Sequence, residues 1–216
     1  MRSPYPAIVS RRRQLMLKRA IDLLLIFIAL PILVPLMLLI SILIRLDSPG
    51  TVFFIQKRAG LHCIPFNCFK FRTMYANADQ TIHQKHIEAY AAGRLNESNG
   101  VKLTNDVRIT RVGKLLRRSS LDELPQIINV IKGEMSLVGP RPLPMYEVEQ
   151  FDLWHNERFL MPPGITGLWQ VKGRSYVSFD DQLRMDIRYI RKWSIWLDIQ
   201  LIFETIPAML SAKGAG

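Results

Sequence analysis

Leu23 to Ile44 reads LLLIFIALPILVPLMLLISILI, and the fold turns on how this run is placed. It holds no charged residue, and Ser41 is its one polar side chain. About 20 apolar residues suffice for a helix to cross the hydrocarbon core of a bilayer, so the run is long enough. A cleavable leader is the poorer reading, because the run is too long for a leader's apolar region and no small-residue cleavage site follows Ile44. Pro31 and Pro35 lie in its middle. Each removes a backbone donor and crowds the preceding turn, which predicts a bend there. Arg2, Arg11, Arg12, Arg13, Lys18 and Arg19 precede the run, and Arg45, Lys57 and Arg58 follow it. The positive-inside rule wants one basic flank, and here both are basic. Two readings follow: a re-entrant hairpin that enters and leaves on one face, favoured by the basic ends, or a proline-kinked single pass, which membrane helices tolerate.

The remaining composition bounds the rest. Of 216 residues, 49% are hydrophobic and 22% charged, which excludes a disordered chain. Lysine and arginine total 29 against 18 acids, a net charge of +11 that suits lipid headgroups, phosphorylated ligands or nucleic acid. No nucleic-acid-binding motif accompanies the charge, so nucleic acid is not an expected partner. Cys63 and Cys68 lie close together with no second pair to complete a structural zinc site, and are read as free thiols.

Thr51 to Arg72 mixes β-branched and aromatic runs around Gly60 and Pro65, predicting strand, turn and strand. Residues 77–94 have helical spacing and many polar side chains, predicting a surface helix that is a candidate interface for a homo-oligomer; 95–105 read as a polar loop. From Arg108 to Arg118 a basic helix is expected, with Arg111, Lys114 and Arg118 on one face, either solvated or set against phosphate. Ser120 and Glu123 fit a capping box, after which Leu121, Leu124, Ile128 and Ile131 form an apolar stripe. In that reading Asp122 and Glu123 are first-turn acids favoured by the helix dipole. Tyr189 to Leu210 has a helical pattern with Trp193 and Trp196 near Arg191 and Lys192, which suits either a headgroup-lying helix or a core helix; Asp198 and Glu204 argue against a second crossing.

Beyond the acid pair, Gly139-Pro140-Arg141-Pro142 is a rigid turn around one arginine, and Pro163 to Gly167 leads into Gln170-Val171-Lys172-Gly173-Arg174. Such glycines and prolines fix tight turns where backbone approaches a ligand closely. Arginine is the side chain best shaped for bidentate phosphate contact. Asp122 and Glu123 amid Arg117, Arg141 and Arg174 would suit a magnesium-bound diphosphate, because magnesium takes one or two carboxylates plus phosphate oxygens. The same arginines would serve equally as ion-pair partners.

From Lys18-Arg19-Ala20-Ile21-Asp22 to about residue 207 the sequence resembles the bacterial monotopic phosphoglycosyl transferases, in their minimal catalytic form without added spans or an N-terminal domain. The resemblance is carried by Phe69-Lys70-Phe71-Arg72-Thr73-Met74, by Ser120-Leu121-Asp122-Glu123-Leu124-Pro125-Gln126, by Asn129 to Pro142, and by the two later turns. It implies an α+β fold, mostly helical, with a small β element and an N-terminal re-entrant hairpin broken at Pro35. Val34 stands where the family often has serine, and Gly50-Thr51 replaces a usual Gly-Pro. The implied organisation is a basic segment over 1–19, a re-entrant helix over 20–46, a catalytic domain over 47–210 with interfacial helices, and a tail over 211–216.

The resemblance also implies the chemistry. Asp122 falls at the family's nucleophile, Glu123 at its magnesium ligand, and Arg117, Arg141 and Arg174 at positions associated with substrate phosphates. Lys70, Arg72 and Asp186 match further family positions and are candidate site residues. The implied reaction passes a sugar 1-phosphate from a UDP-sugar to polyprenyl (undecaprenyl) phosphate through a phosphosugar-aspartate, releasing UMP, as the first step of bacterial glycoconjugate assembly. It would run with magnesium at the cytoplasmic face of the inner membrane, among membrane lipids. The rival reading is a non-catalytic adaptor that binds anionic lipid; it explains the charge and the apolar run but not the acid pair beside three arginine-bearing turns.

Overall fold

The computed structural model describes residues 12–77, 106–149, 151, 153–173 and 177–210. The surface helix expected over 77–94, the loop over 95–105, Arg174 and the tail over 211–216 lie outside the described residues, apart from Asn77 itself. The described part is mostly helical with two small sheets, as expected.

Helix α1 spans Arg12–Asp47 and carries Pro31 and Pro35 as interior positions. It is one helix, so the structure does not divide the segment into the two arms of a hairpin. Among the described residues it is the one helix long and apolar enough to cross a membrane. Its buried positions are Lys18, Asp22, Ile26, Ile40 and Ile44, spaced by multiples of about four, which puts them along one face. Ile26 packs with Phe66, Cys68, Ile127, Val130 and Met135, while Ile40 and Ile44 pack with Phe71 and Leu116. Both halves of α1 therefore rest on the same body, while Phe27, Ile28, Ile32, Leu38 and Ile42 stay exposed.

Strands β1 (Phe53–Ala59) and β2 (Pro65–Phe71) form the antiparallel hairpin expected, in register from Phe53↔Phe71 to Ala59↔Pro65. Alternation along β2 sends Phe66 and Cys68 into the core under α1. Helix α2 (Arg111–Ser119) starts where Thr110 Oγ1 accepts from the Gly113 amide and Asp47 Oδ2 from the Val112 amide, so the end of α1 caps α2. Arg111, Lys114 and Arg118 are all exposed, on the face opposite the buried Gly113 and Leu116.

The capping box does not form. Ser120 takes a left-handed conformation (φ 56°, ψ 17°) and closes α2 instead, its amide donating to Arg117 O. Leu121–Glu123 is a single 3₁₀ turn, and helix α3 begins only at Gln126 and runs to Lys132. The apolar stripe is also displaced: Ile127 and Val130 are buried with Gln126 and Asn129, whereas Ile131 is exposed. Asn129 wins a buried place because its amide group holds β2, accepting from Phe69 N and donating to Asn67 O.

Strand β3 (Ser136–Val138) and strand β4 (Gly164–Thr166) pair in parallel, with helix α4 (Met145–Val148) and a 3₁₀ segment (Leu153–Leu160) in the crossover. Gly164 is required here, because a Cβ would overlap the Gly139 amide nitrogen. Helices α5 (Leu168–Lys172), α6 (Phe179–Lys192) and α7 (Ile195–Leu210) complete the chain. The single helix expected from Tyr189 is broken at Trp193-Ser194: Trp193 leaves helical geometry and its indole donates to Asp198. Leu201 on α7 is fully buried while Trp196, Phe203 and Ile206 are exposed, so this helix has a core face and an apolar outer face.

Candidate active site

The left-handed turn at Ser120 presents the two acids differently, although they are neighbours in sequence. Glu123 Oε1 accepts from Lys70 Nζ at 2.7 Å and from Arg141 Nη2 at 2.7 Å, and its Oε2 has one longer contact, 3.3 Å, from Arg141 Nη1. Burial works to raise the Glu123 pKa, but Arg141 and Lys70 outweigh it and hold the carboxyl well below its ordinary range. Lys70 is pushed down by the same burial, against the pull of Glu123.

Asp122 is in the opposite condition. No described residue hydrogen-bonds its carboxylate, and burial with the neighbouring Glu123 charge raises its pKa, opposed by Lys70, Arg117 and Arg141. Arg117, on α2, is turned away from the exposed basic face; its Nε donates to Thr73 Oγ1 at 3.0 Å and its charge acts on Asp122. The Arg141 guanidinium also lies 5.9 Å from the centre of the Trp169 ring. Among the described residues the site is thus a carboxylate that none of them bonds, beside a carboxylate clamped by two cations, with the charge of Arg117 acting on the first. That arrangement supplies a nucleophile and positive charge for phosphate oxygens.

Of the candidate residues, Asp122, Glu123, Lys70, Arg117 and Arg141 come together. Arg72 does not point to this pair; it donates to the carbonyls of Ser48 and Pro49 and so closes the end of α1. Asp186 is buried behind the site, its Oδ2 accepting from Arg158 at 2.6 Å, and burial pushes its pKa up to about 6 against the pull of Arg158. The sequence reading missed Arg158, which bonds both Asp186 and the Arg141 carbonyl. Its signal was only a lone arginine between aromatic residues, Phe151 and Phe159.

The donors for a metal are few. No group of three or more His, Cys, Asp or Glu that could hold an ion occurs among the described residues. On Glu123, Oε2 with its single long contact is the oxygen left for a hard cation, and beside it no described residue bonds the Asp122 oxygens, so these residues fit magnesium only where a substrate supplies further oxygens.

The family described as bacterial sugar transferase matches residues 13–212. The chain belongs to that family. It is a bacterial phosphoglycosyl transferase. The exopolysaccharide production protein ExoY of Sinorhizobium fredii is 40% identical over 92% of this chain and 87% of its own. The undecaprenyl-phosphate galactose phosphotransferase of Salmonella typhimurium is 38% identical over 96% of this chain and 43% of its own. The undecaprenyl-phosphate glucose phosphotransferase of Komagataeibacter xylinus is 39% identical over 98% of this chain and 40% of its own. For this transferase the match spans α1, both sheets and the acid pair, so what is shared is the whole described body.

Proposed function

We propose that this transferase moves a sugar 1-phosphate from a UDP-sugar to a polyprenyl phosphate at the cytoplasmic surface of the bacterial inner membrane, through a covalent intermediate on Asp122. The observation that carries the reading is the unlike state of the two acids among the described residues, Asp122 bonded by none of them and Glu123 clamped by Lys70 and Arg141. An Asp122 oxygen attacks the sugar-proximal phosphorus; the bond to UMP breaks and UMP leaves with the electron pair. A polyprenyl phosphate oxygen then attacks the same phosphorus, the bond to Asp122 breaks, and the carboxylate is restored with polyprenyl-diphosphate sugar as product. Arg117, Lys70 and Arg141 would orient the phosphates and offset their charge. Magnesium, held by Glu123 together with substrate oxygens, would add further charge neutralisation when bound. Relatives named for undecaprenyl-phosphate galactose and glucose phosphotransfer support this substrate class and leave the sugar open.

The membrane reading rests on α1, whose exposed face is apolar while both its halves pack on the domain that carries the acids. A pass that carried the second half of α1 to the far side of a bilayer would separate Ile40 and Ile44 from Phe71 and Leu116. A re-entrant course with Pro35 near its deepest point keeps both contacts. The active site would then lie at the height of the lipid phosphate, so that both substrates reach Asp122.

The test is intact-protein mass with UDP-sugars, magnesium and no polyprenyl phosphate. One sugar-phosphate adduct per chain with matching UMP release, both lost in Asp122→Asn, is expected, along with a fall in turnover of more than about 1,000-fold in that variant. UMP release that needs the acceptor and leaves no adduct would replace the covalent route with direct displacement.

A further inference from the structure

The turn that bears Arg141 is held in an unusual way. Pro140 and Pro142 have no amide hydrogen to anchor it, yet four consecutive carbonyls from Pro140 to Leu143 are each bonded. Pro140 O accepts from Gly164 N at 2.9 Å and Leu143 O from Ala59 N at 2.9 Å, both backbone contacts to neighbouring strands. The two carbonyls between them accept from guanidinium groups: Arg141 O from Arg158 Nη2 at 2.7 Å, and Pro142 O from Arg58 Nη1 at 2.6 Å. Buried arginine bound to backbone carbonyl is costly unless its charge is met elsewhere. Here Arg158, at 2% exposure, meets Asp186 at 1%, and it lies 5.7 Å from the ring centres of Phe151 and Phe159. Arg58 is steadied by Gln56, whose Oε1 accepts from it at 3.0 and 3.2 Å.

We infer that the Asp186–Arg158 pair, with Arg58, is a positioning device that fixes the backbone of Arg141 so that its guanidinium is aimed at Glu123 and the reacting phosphates. Arg158 touches neither Glu123 nor Asp122 among its bonded partners; it acts through the carbonyl of Arg141. The same Nη2 bridges Asp186 and that carbonyl, so the carboxylate sets the guanidinium and the guanidinium sets the turn. A lysine in place of Arg158 would keep the charge, but its ammonium ends one bond short of the position of Nη2, so it could not meet both acceptors with the turn in place. This rests on the transfer reaction proposed above for its kinetic readout, and on no reaction for its structural one.

Two measurements decide it. The first is a double-mutant cycle on kcat/KM for the UDP-sugar, using detergent-purified full chains of wild type, Arg158→Lys, Arg141→Ala and the double variant. Arg158→Lys is expected to lose about 10- to 100-fold, as misplacement of a positioned group does. The double variant is expected to be no worse than Arg141→Ala alone, because Arg158 has nothing left to position. Multiplying losses, or full activity in Arg158→Lys, would overturn the inference; a merely structural role would give the multiplying result. The second is hydrogen exchange without substrate at the Ala59 and Gly164 amides, which donate to the ends of the same turn. Faster exchange there in Arg158→Lys is expected, and unchanged exchange overturns the inference. Should Arg158→Lys fold poorly, Arg158→Met with Asp186→Leu removes both charges together and is read in the same two ways. Wild-type protein that releases no UMP from any donor defeats the reaction reading instead, and exchange alone then decides the positioning role.

Discussion

Ser120 is the residue on which the acid pair turns. Its left-handed backbone ends α2 and starts the 3₁₀ turn, which leaves Asp122 bonded by no described residue and directs Glu123 to Lys70 and Arg141. A left-handed conformation costs a non-glycine residue about 1–2 kcal/mol, and such strain collects where function over-determines it. The two acids should then answer substitution oppositely. The folded pKa of Asp122 lies above its ordinary 3.8, so stability is lost as pH rises past that value and the charged form burdens the fold at neutral pH. Asp122→Asn should therefore melt no lower than wild type at pH 7 while losing activity. Glu123 is depressed below its ordinary 4.5, so its contribution is present above that value and lost only as pH falls through the lower folded value. Glu123→Gln should lose activity and also about 3 kcal/mol of stability at pH 7, by stranding two partly buried cations. Thermal melts across pH 3 to 8 check both; a destabilised Asp122→Asn would mean that this carboxylate is structural. The candidate residues were nameable at this scale from the ordered motifs, but the capping-box reading of Ser120 and Glu123 was wrong. Local hydrogen bonding favours that box, and two cations brought from distant segments outcompete it.

Among the elements, α1 is fixed to the body by polar side chains on an apolar helix. Lys18 Nζ bonds Val138 O at 2.9 Å and Asp198 Oδ2 at 2.7 Å, and Asp22 Oδ2 accepts from Ser136 Oγ at 2.7 Å. Asp198 also accepts from Tyr189 and Trp193, so α1, α6 and α7 meet at one buried carboxylate, and β3 joins them through Val138 O, which accepts from Lys18 and Tyr189. Asp198→Ala should cost about 3–5 kcal/mol because it leaves the buried Lys18 charge without its bonded carboxylate, and Lys18→Met with Asp198→Leu should recover most of that. Denaturant melts of the single and double variants check it; equal losses in both would show that packing, not the stranded charge, carries the effect. The hydropathy run, the hairpin and the basic helix were legible from periodicity and turn residues. The break between α6 and α7 was not, since it depends on Trp193 bonding Asp198 across the break, within a helical pattern that continues through it.

At the scale of the whole molecule, the proposed re-entrant course has a direct consequence: residues at both ends of α1 lie on one side of the bilayer. Single cysteines placed at Arg12 and at Lys57, in chains whose Cys63 and Cys68 are replaced by serine, should both be shielded from an impermeant reagent in intact cells and both be labelled after lysis. Labelling of one end alone in intact cells would make α1 a full crossing.

What the sequence determined by itself was local or collinear: a long apolar run with two prolines, a strand-turn-strand, an acid pair among arginine-bearing turns, and through their order a family. What the tertiary structure decided was which charge meets which. Lys70 reaches Glu123 across 53 residues of sequence, Arg158 reaches Asp186 across 28, and Lys18 reaches Asp198 across 180. The reason is physical: burial makes each ionised group depend on a specific partner, and spacing along the chain carries no record of which segments folding brings within 3 Å.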